Sequence, residues 1–123
     1  MIEKRKDEFG EYLFVKSNSM VNIEDMIAGI KYLENDNSLP RKLRIIEDAR
    51  SAEVNFSPID TSELSEHMHK VALKYDYIKH AVIHSNPRNT AMAMLVQKNK
   101  KDQNYFLEVF STFEGAIHWL KNS

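Results

Sequence analysis

The chain has no cysteine, only three glycines and three prolines, and no excess of either charge. The missing cysteine excludes disulfides, thiol nucleophiles and thiolate-ligated zinc or iron–sulfur clusters. So few glycines and prolines leave little room for long disordered linkers or a glycine-rich phosphate loop. Lys and Arg total 17 against 18 Asp and Glu, a net charge of -1. That balance supplies no broad basic field for nucleic acid or anionic lipid. No stretch approaches the roughly 20 apolar residues of a membrane-crossing helix. The charged opening Met1-Ile2-Glu3-Lys4-Arg5-Lys6 has no apolar run behind it, which reads against a signal peptide. The expectation is a cytoplasmic protein with no membrane insertion, no nucleic-acid partner and no cofactor.

What is present is a rhythm. With 123 residues, 42% of them hydrophobic, the chain is long enough for one domain, 1–123, with its own core. Short apolar strands centred on Tyr12-Leu13-Phe14-Val15, Leu43-Arg44-Ile45-Ile46, Ala81-Val82-Ile83 and Leu107-Glu108-Val109-Phe110 are each followed by a segment of helical spacing. Alternating strands and helices mean parallel strands joined by crossovers, an α/β domain. A polar first strand over 2–7 and a turn at Phe9-Gly10 predict an antiparallel hairpin with the next strand, over 11–17. The whole is a mixed sheet of about five strands with four crossover helices.

Helix starts carry their own signals. Asn22 with Asp25 forms a capping box ahead of Ile23, Met26, Ile27, Ile30 and Leu33. Gly29, inside that helix, is explained by a close approach to the sheet. Strand 43–48 leads to a loop over 49–56, and a second helix begins at Ser57 or Asp60 with Leu64, Met68, Val71, Ala72 and Tyr75 on its apolar face. Asn86-Pro87 opens a third helix, and Ser111-Thr112-Phe113-Glu114 reads as the capping box of the last. Trp119 lies off the apolar stripe of that last helix, placed to cover the core edge or to anchor an interface.

Adjacent apolar pairs (Leu13 with Phe14, Ile45 with Ile46, Val82 with Ile83) make both sheet faces apolar, because side chains alternate along a strand. Right-handed crossovers stepping one way place their helices on one face. Either the winding reverses or a partner covers the second face, and a homodimer is the simplest such partner.

Three clusters gather at strand ends: Asp48, Arg50 and Ser51; His84, Ser85, Asn86 and Arg88; Ser111 and Thr112. Asp48 suits a base or a magnesium ligand, or a pairing with Arg50. His84 to Arg88 combines free N–H groups, a helix dipole and a cation, a setting for phosphate or carboxylate, or simply a capped helix start. His67 and His69, two apart, do not match a zinc-ligand pair. No G-x-S-x-G elbow supports a triad of His84, Asp48 and a serine. His80 and His118 read as surface residues, and Met26, Met68 and Met92 as core filling.

The segments Val21-Asn22-Ile23-Glu24-Asp25-Met26, Leu43-Arg44-Ile45-Ile46-Glu47-Asp48-Ala49-Arg50 with Phe56-Ser57-Pro58, and Glu108-Val109-Phe110-Ser111-Thr112-Phe113-Glu114-Gly115-Ala116 with Trp119-Leu120 resemble small bacterial proteins of the SpoIIAA-like superfamily. That superfamily unites STAS domains with the Sec14 (CRAL-TRIO) fold. The resemblance implies a non-enzymatic regulatory or protein-binding module. Some STAS domains are switched by phosphorylation of a serine at the start of the second helix. Ser57 takes that place here, but the Asp before it and the Gly after it are absent. The chain has no room for the lid helices of the lipid-binding relatives. The rim of Asp48, Arg50, Ser57, His84, Ser85, Asn86 and Arg88 is the expected contact surface for an unidentified protein partner. Two other readings stay open: a small anionic-ligand binder or weak enzyme at the same rim, and transient lipid-headgroup binding.

Overall fold

The computed structural model describes residues 1–99 and 102–121. Five strands form one sheet in sequence order: β1 (Ile2–Asp7), β2 (Gly10–Val21), β3 (Lys42–Val54), β4 (Tyr77–Ile83) and β5 (Tyr105–Phe110). The β1–β2 pair is antiparallel and every later pair is parallel. Four helices complete the domain: α1 (Ile23–Asn35), α2 (Thr61–Ala72), α3 (Pro87–Asn99) and α4 (Phe113–Lys121). Gly10 turns the hairpin at φ 125°, a conformation that an L side chain resists.

Because strand order follows chain order, each crossover steps one strand in the same direction. Right-handed connections then deliver α1, α2 and α3 to one face. Ile30 and Leu33 of α1, Leu64, Met68 and Val71 of α2, and Val96 of α3 share a core with Leu13, Ile45, Ile78, Val82 and Leu107. The chain reverses only at its end. Helix α4 lies on the second face, with Ala116 and Leu120 packed with Tyr12, Phe14, Ile46, Ala81 and Ile83. The second face is thus covered in part from within, and closing that part needs no second copy.

The helix caps follow their local chemistry. Asn22 Oδ1 accepts from the Asp25 N–H at 2.9 Å, and Asp25 Oδ2 accepts from the Asn22 N–H at 3.1 Å, the expected box. Asn86 Oδ1 accepts from the Arg88 and Asn89 amides, with Pro87 as the first helical residue. The start of α4 differs from expectation: Thr112, not Ser111, is the cap, its hydroxyl accepting from the Gly115 N–H at 3.0 Å. The second helix is preceded by a 3₁₀ turn (Pro58–Asp60) and begins at Thr61.

The larger correction concerns residues 49–54, expected as loop. They continue β3, which pairs with an equally extended β2 as far as Val21 and Val54. A bulge separates the two stretches: Lys16 pairs with Asp48, but Asn18 pairs with Ser51, so one extra residue sits in β3. Ala49 and Ala52, three apart, therefore face the same core. Strand β4 stops at Ile83, opposite Asp48. Beyond it the edge of β3 is closed by Asn89, 2% exposed, from α3. Its amide donates to the Ala52 carbonyl at 3.0 Å and its oxygen accepts from the Val54 N–H at 3.4 Å. One side chain thus substitutes for a missing strand. An Asn89→Leu substitution strands the Ala52 carbonyl in the interior and is expected to cost about 2 kcal/mol, a fall of roughly 6–10 °C in Tm, measured by thermal unfolding.

Candidate functional site

The anticipated rim forms in part. Asp48, nearly buried, takes a bidentate pairing from Arg50: Nε to Oδ1 at 3.0 Å and Nη2 to Oδ2 at 2.9 Å. The Arg50 side-chain hydrogen bonds, offset in part by burial, hold the carboxyl below its ordinary value. A carboxylate so engaged has little capacity left for a metal or a proton. Ser85 reaches the Arg50 carbonyl at 3.4 Å, and Glu114 of α4 lies close enough to act on the Arg50 charge. Residues Arg50, Ser85, Asn86 and Arg88 are exposed there. Ser57 turns instead to Asp60, its amide and hydroxyl both donating to Oδ2 at 3.0 and 3.3 Å. His84 leaves the rim altogether. It is buried and points with Val82 and His80 toward the α1–α3 face.

That face holds the constellation that sequence reasoning missed. His80, expected on the surface, has only 12% of its side chain exposed. It stands between two buried acidic groups. Its Nε2 lies 2.8 Å from Glu47 Oε1 and its Nδ1 lies 2.8 Å from the Tyr105 hydroxyl. The Ser17 hydroxyl donates to Glu47 Oε2 at 3.3 Å. The relay crosses four strands diagonally, since Ser17, Glu47, His80 and Tyr105 belong to β2, β3, β4 and β5. Strand alternation builds it: Ile45, Glu47 and Ala49, like Ile78, His80, Val82 and His84, project to one side. In the tautomer with Nε2–H donating to Glu47, Nδ1 accepts from the Tyr105 hydroxyl and every group has a partner.

Burial pushes the Glu47 carboxyl up, but hydrogen bonds from His80 and Ser17 and the adjacent His84 ring outweigh it, so it titrates below its ordinary value. Tyr105 is held firmly protonated, first by burial and then by the Glu47 charge. His84 is pushed down by burial, against opposing pulls from Glu47 and the Ala49 backbone. Its Nδ1 is buried without a hydrogen-bond partner.

Two adjoining spaces lie over the relay. A deep one of about 50 Å³ is walled by Met68, Met92, Val96 and Leu107, with His84, Asn89 and Tyr105 among its polar groups. A wider groove of about 350 Å³ runs between α1 and β2 past Val15, Met20, Met26 and Gly29. Both include Ser17, Glu47 and His80 in their walls. Gly29 is not there for a close approach to the sheet, because a Cβ at that position would meet nothing within 4 Å. Its bare backbone widens the groove instead. Met26 packs, partly buried, against the core as expected, and it and the partly buried Met92 line these spaces. Ser19, at φ 61°, is a strained residue beside the groove, next to the exposed Met20. Among the described residues no three His, Asp or Glu side chains gather into a metal-binding group. His69 pairs with Asp102 rather than with His67.

The chain superposes on the crystal structure of an uncharacterized protein of the DUF3478 family, from Shewanella loihica PV-4, with a TM-score of 0.60 over 98% of this chain and 92% of that one. That protein has a SpoIIAA-like fold. The fold here is SpoIIAA-like. Sequence identity is 14%, so the likeness covers architecture alone. No protein-family model matches the sequence, and no curated protein matches it. Among the described residues no helix of this SpoIIAA-like domain is long and apolar enough to cross a membrane.

His84 gives the pocket a pH signature. Its folded value is depressed, so the unfolded chain binds the proton first. The stability linked to His84 is complete above its ordinary value of about 6.5 and is lost as pH falls from there toward the folded value. Urea unfolding across that window should show stability falling by up to about 1.4 kcal/mol per pH unit. His84→Gln should flatten the slope.

Proposed function

We propose that the domain is a non-enzymatic STAS-like binding module whose ligand is a small, mainly apolar molecule with a neutral hydrogen-bonding head. The observation that carries this reading is the unpartnered, buried Nδ1 of His84 on a space whose walls are mostly carbon. A buried polar atom without a partner is costly and asks for one. A hydroxyl serves either imidazole tautomer, since it both donates and accepts. Ionised Glu47 at the inner end of the groove opposes an anionic head. The same geometry argues against catalysis: both ring nitrogens of His80 are engaged and Tyr105 is held neutral, so neither is available as a base.

On this reading the ligand lies inside the sheet–helix space rather than at the rim. The rim remains the surface through which occupancy would be presented to a protein partner, because Glu47 in the pocket and Asp48 on the opposite side are consecutive on β3. Phosphorylation of Ser57 is not part of this reading, because a phosphate there would oppose the Asp60 carboxylate that Ser57 already faces.

Thermal-shift titration with 1-octanol and octanoate tests the reading. Octanol at ten times its Kd should stabilise by about 1.4 kcal/mol, roughly 4–7 °C. Octanoate should give little. The octanol shift should vanish in His84→Leu and in Gly29→Leu, which fills the groove mouth. Equal shifts with octanoate, or an octanol shift that survives both substitutions, would overturn it.

A further inference from the structure

The second face of the sheet is covered unevenly. Helix α4 has nine residues and lies over Ile46, Ala81 and Ile83. Two residues nearer the strand starts, on the same face, Arg44 of β3 stands directly opposite Lys79 of β4. Like charges in direct cross-strand register repel, and here neither is compensated. Among the described residues neither cation forms an ion pair. Lys79 is nine-tenths buried, and Arg44 Nε is closed from solvent with no hydrogen-bond partner. Burial, and then the neighbouring Arg44, push the Lys79 ammonium below its ordinary value.

Aromatic rings hold the two cations in place without supplying countercharge. The Arg44 guanidinium lies 5.7 Å from the Phe9 ring and 6.0 Å from Tyr77, and Lys79 Nζ lies 5.8 Å from Tyr77 and 5.7 Å from Trp119. Rings soften the cost of a desolvated cation but cannot cancel two adjacent charges. What the arrangement lacks is a dianion. A carboxylate would neutralise one cation. A phosphoryl group carries about 1.5 to 2 negative charges and offers several strong acceptors to an Arg beside a Lys.

We propose that Arg44 and Lys79 form the seat of a phosphoryl group belonging to a small soluble phosphate monoester. Lys79 lies recessed beside α4, which favours a free ester over the headgroup of a flat membrane. Phe106, opposite Lys79 on β5 and 42% exposed, offers an apolar flank for the ester's carbon skeleton. This seat is on the face of the sheet opposite the Glu47–His80 relay, so it stands independently of the ligand proposed above.

Trp119 is the only tryptophan and touches the seat, so its fluorescence reports occupancy. Titration with glycerol 3-phosphate at low ionic strength should give a saturable change. Affinity should fall at least about tenfold in Lys79→Gln and in Arg44→Gln, and be largely kept in Lys79→Arg. Both glutamine variants, free of ligand, should melt at or above the wild-type temperature, since repulsion is removed. Three results overturn the proposal: no response to glycerol 3-phosphate, a response that persists undiminished in Lys79→Gln, or a response confined to phosphatidylcholine vesicles doped with phosphatidate.

Discussion

The hydrogen bond between Glu47 and His80, 2.8 Å long, constrains everything built on the α1–α3 face. A carboxylate placed between Ile45 and Ala49 on a sheet that three helices cover must be paired, or the face cannot be buried. His80 pairs it, Tyr105 completes the imidazole, and Ser17 takes the remaining carboxylate oxygen. With those groups tied to one another, the helices above them can be apolar. Met26, Ile30, Leu64, Met68, Met92 and Val96 wall the space over a polar floor. His84 stands outside the relay, and its Nδ1 has no hydrogen-bond partner.

The two faces of the sheet solve the same problem differently. On the first, crossovers that all step one way supply three helices, and a buried polar relay is satisfied internally. On the second, one short returning helix covers the carboxyl-terminal half of the strands and leaves Arg44 and Lys79 among aromatic rings. A bulge interrupts β3 between Asp48 and Ser51. It carries the β2–β3 ribbon past the end of β4 and sets Asp48 against Arg50. Asn89 then has a bare strand edge to close. The rim is therefore a structural junction as well as an exposed surface.

Much of this was legible from residue order. Short apolar runs located four strands and the polar stretch before the Phe9-Gly10 turn located the first, while the Asn22–Asp25 and Asn86-Pro87 signals located two helix starts, because caps are local chemistry. Apolar pairs such as Ile45-Ile46 showed that both faces are buried, and the SpoIIAA-like architecture was implied by the resemblance of segments such as 43–50 and 108–116. The continuation of β2 and β3 was hidden because Asn18, Ser19, Arg50 and Ser51 look like turn residues and the bulge shifts Ala49 and Ala52 out of alternation. His80 was misread for a different reason. A histidine between Lys79 and Ala81 looks exposed until it is aligned with Ile78 and Val82 on its own face. That alternation, with Glu47 similarly flanked, was the available signal. Gly29 and Asn89 could not be read at all, since a groove and a strand edge exist only after the chain is folded.

A double-mutant cycle on Glu47 and His80, read by urea unfolding, tests the relay most directly. Glu47→Leu and His80→Phe, each made alone, leave a buried polar partner unsatisfied. Each should cost several kcal/mol, while the double substitution should recover about 2 kcal/mol or more of the summed loss. Costs that simply add would show that the two side chains do not depend on one another, and the polar floor assigned to the pocket would have no energetic basis.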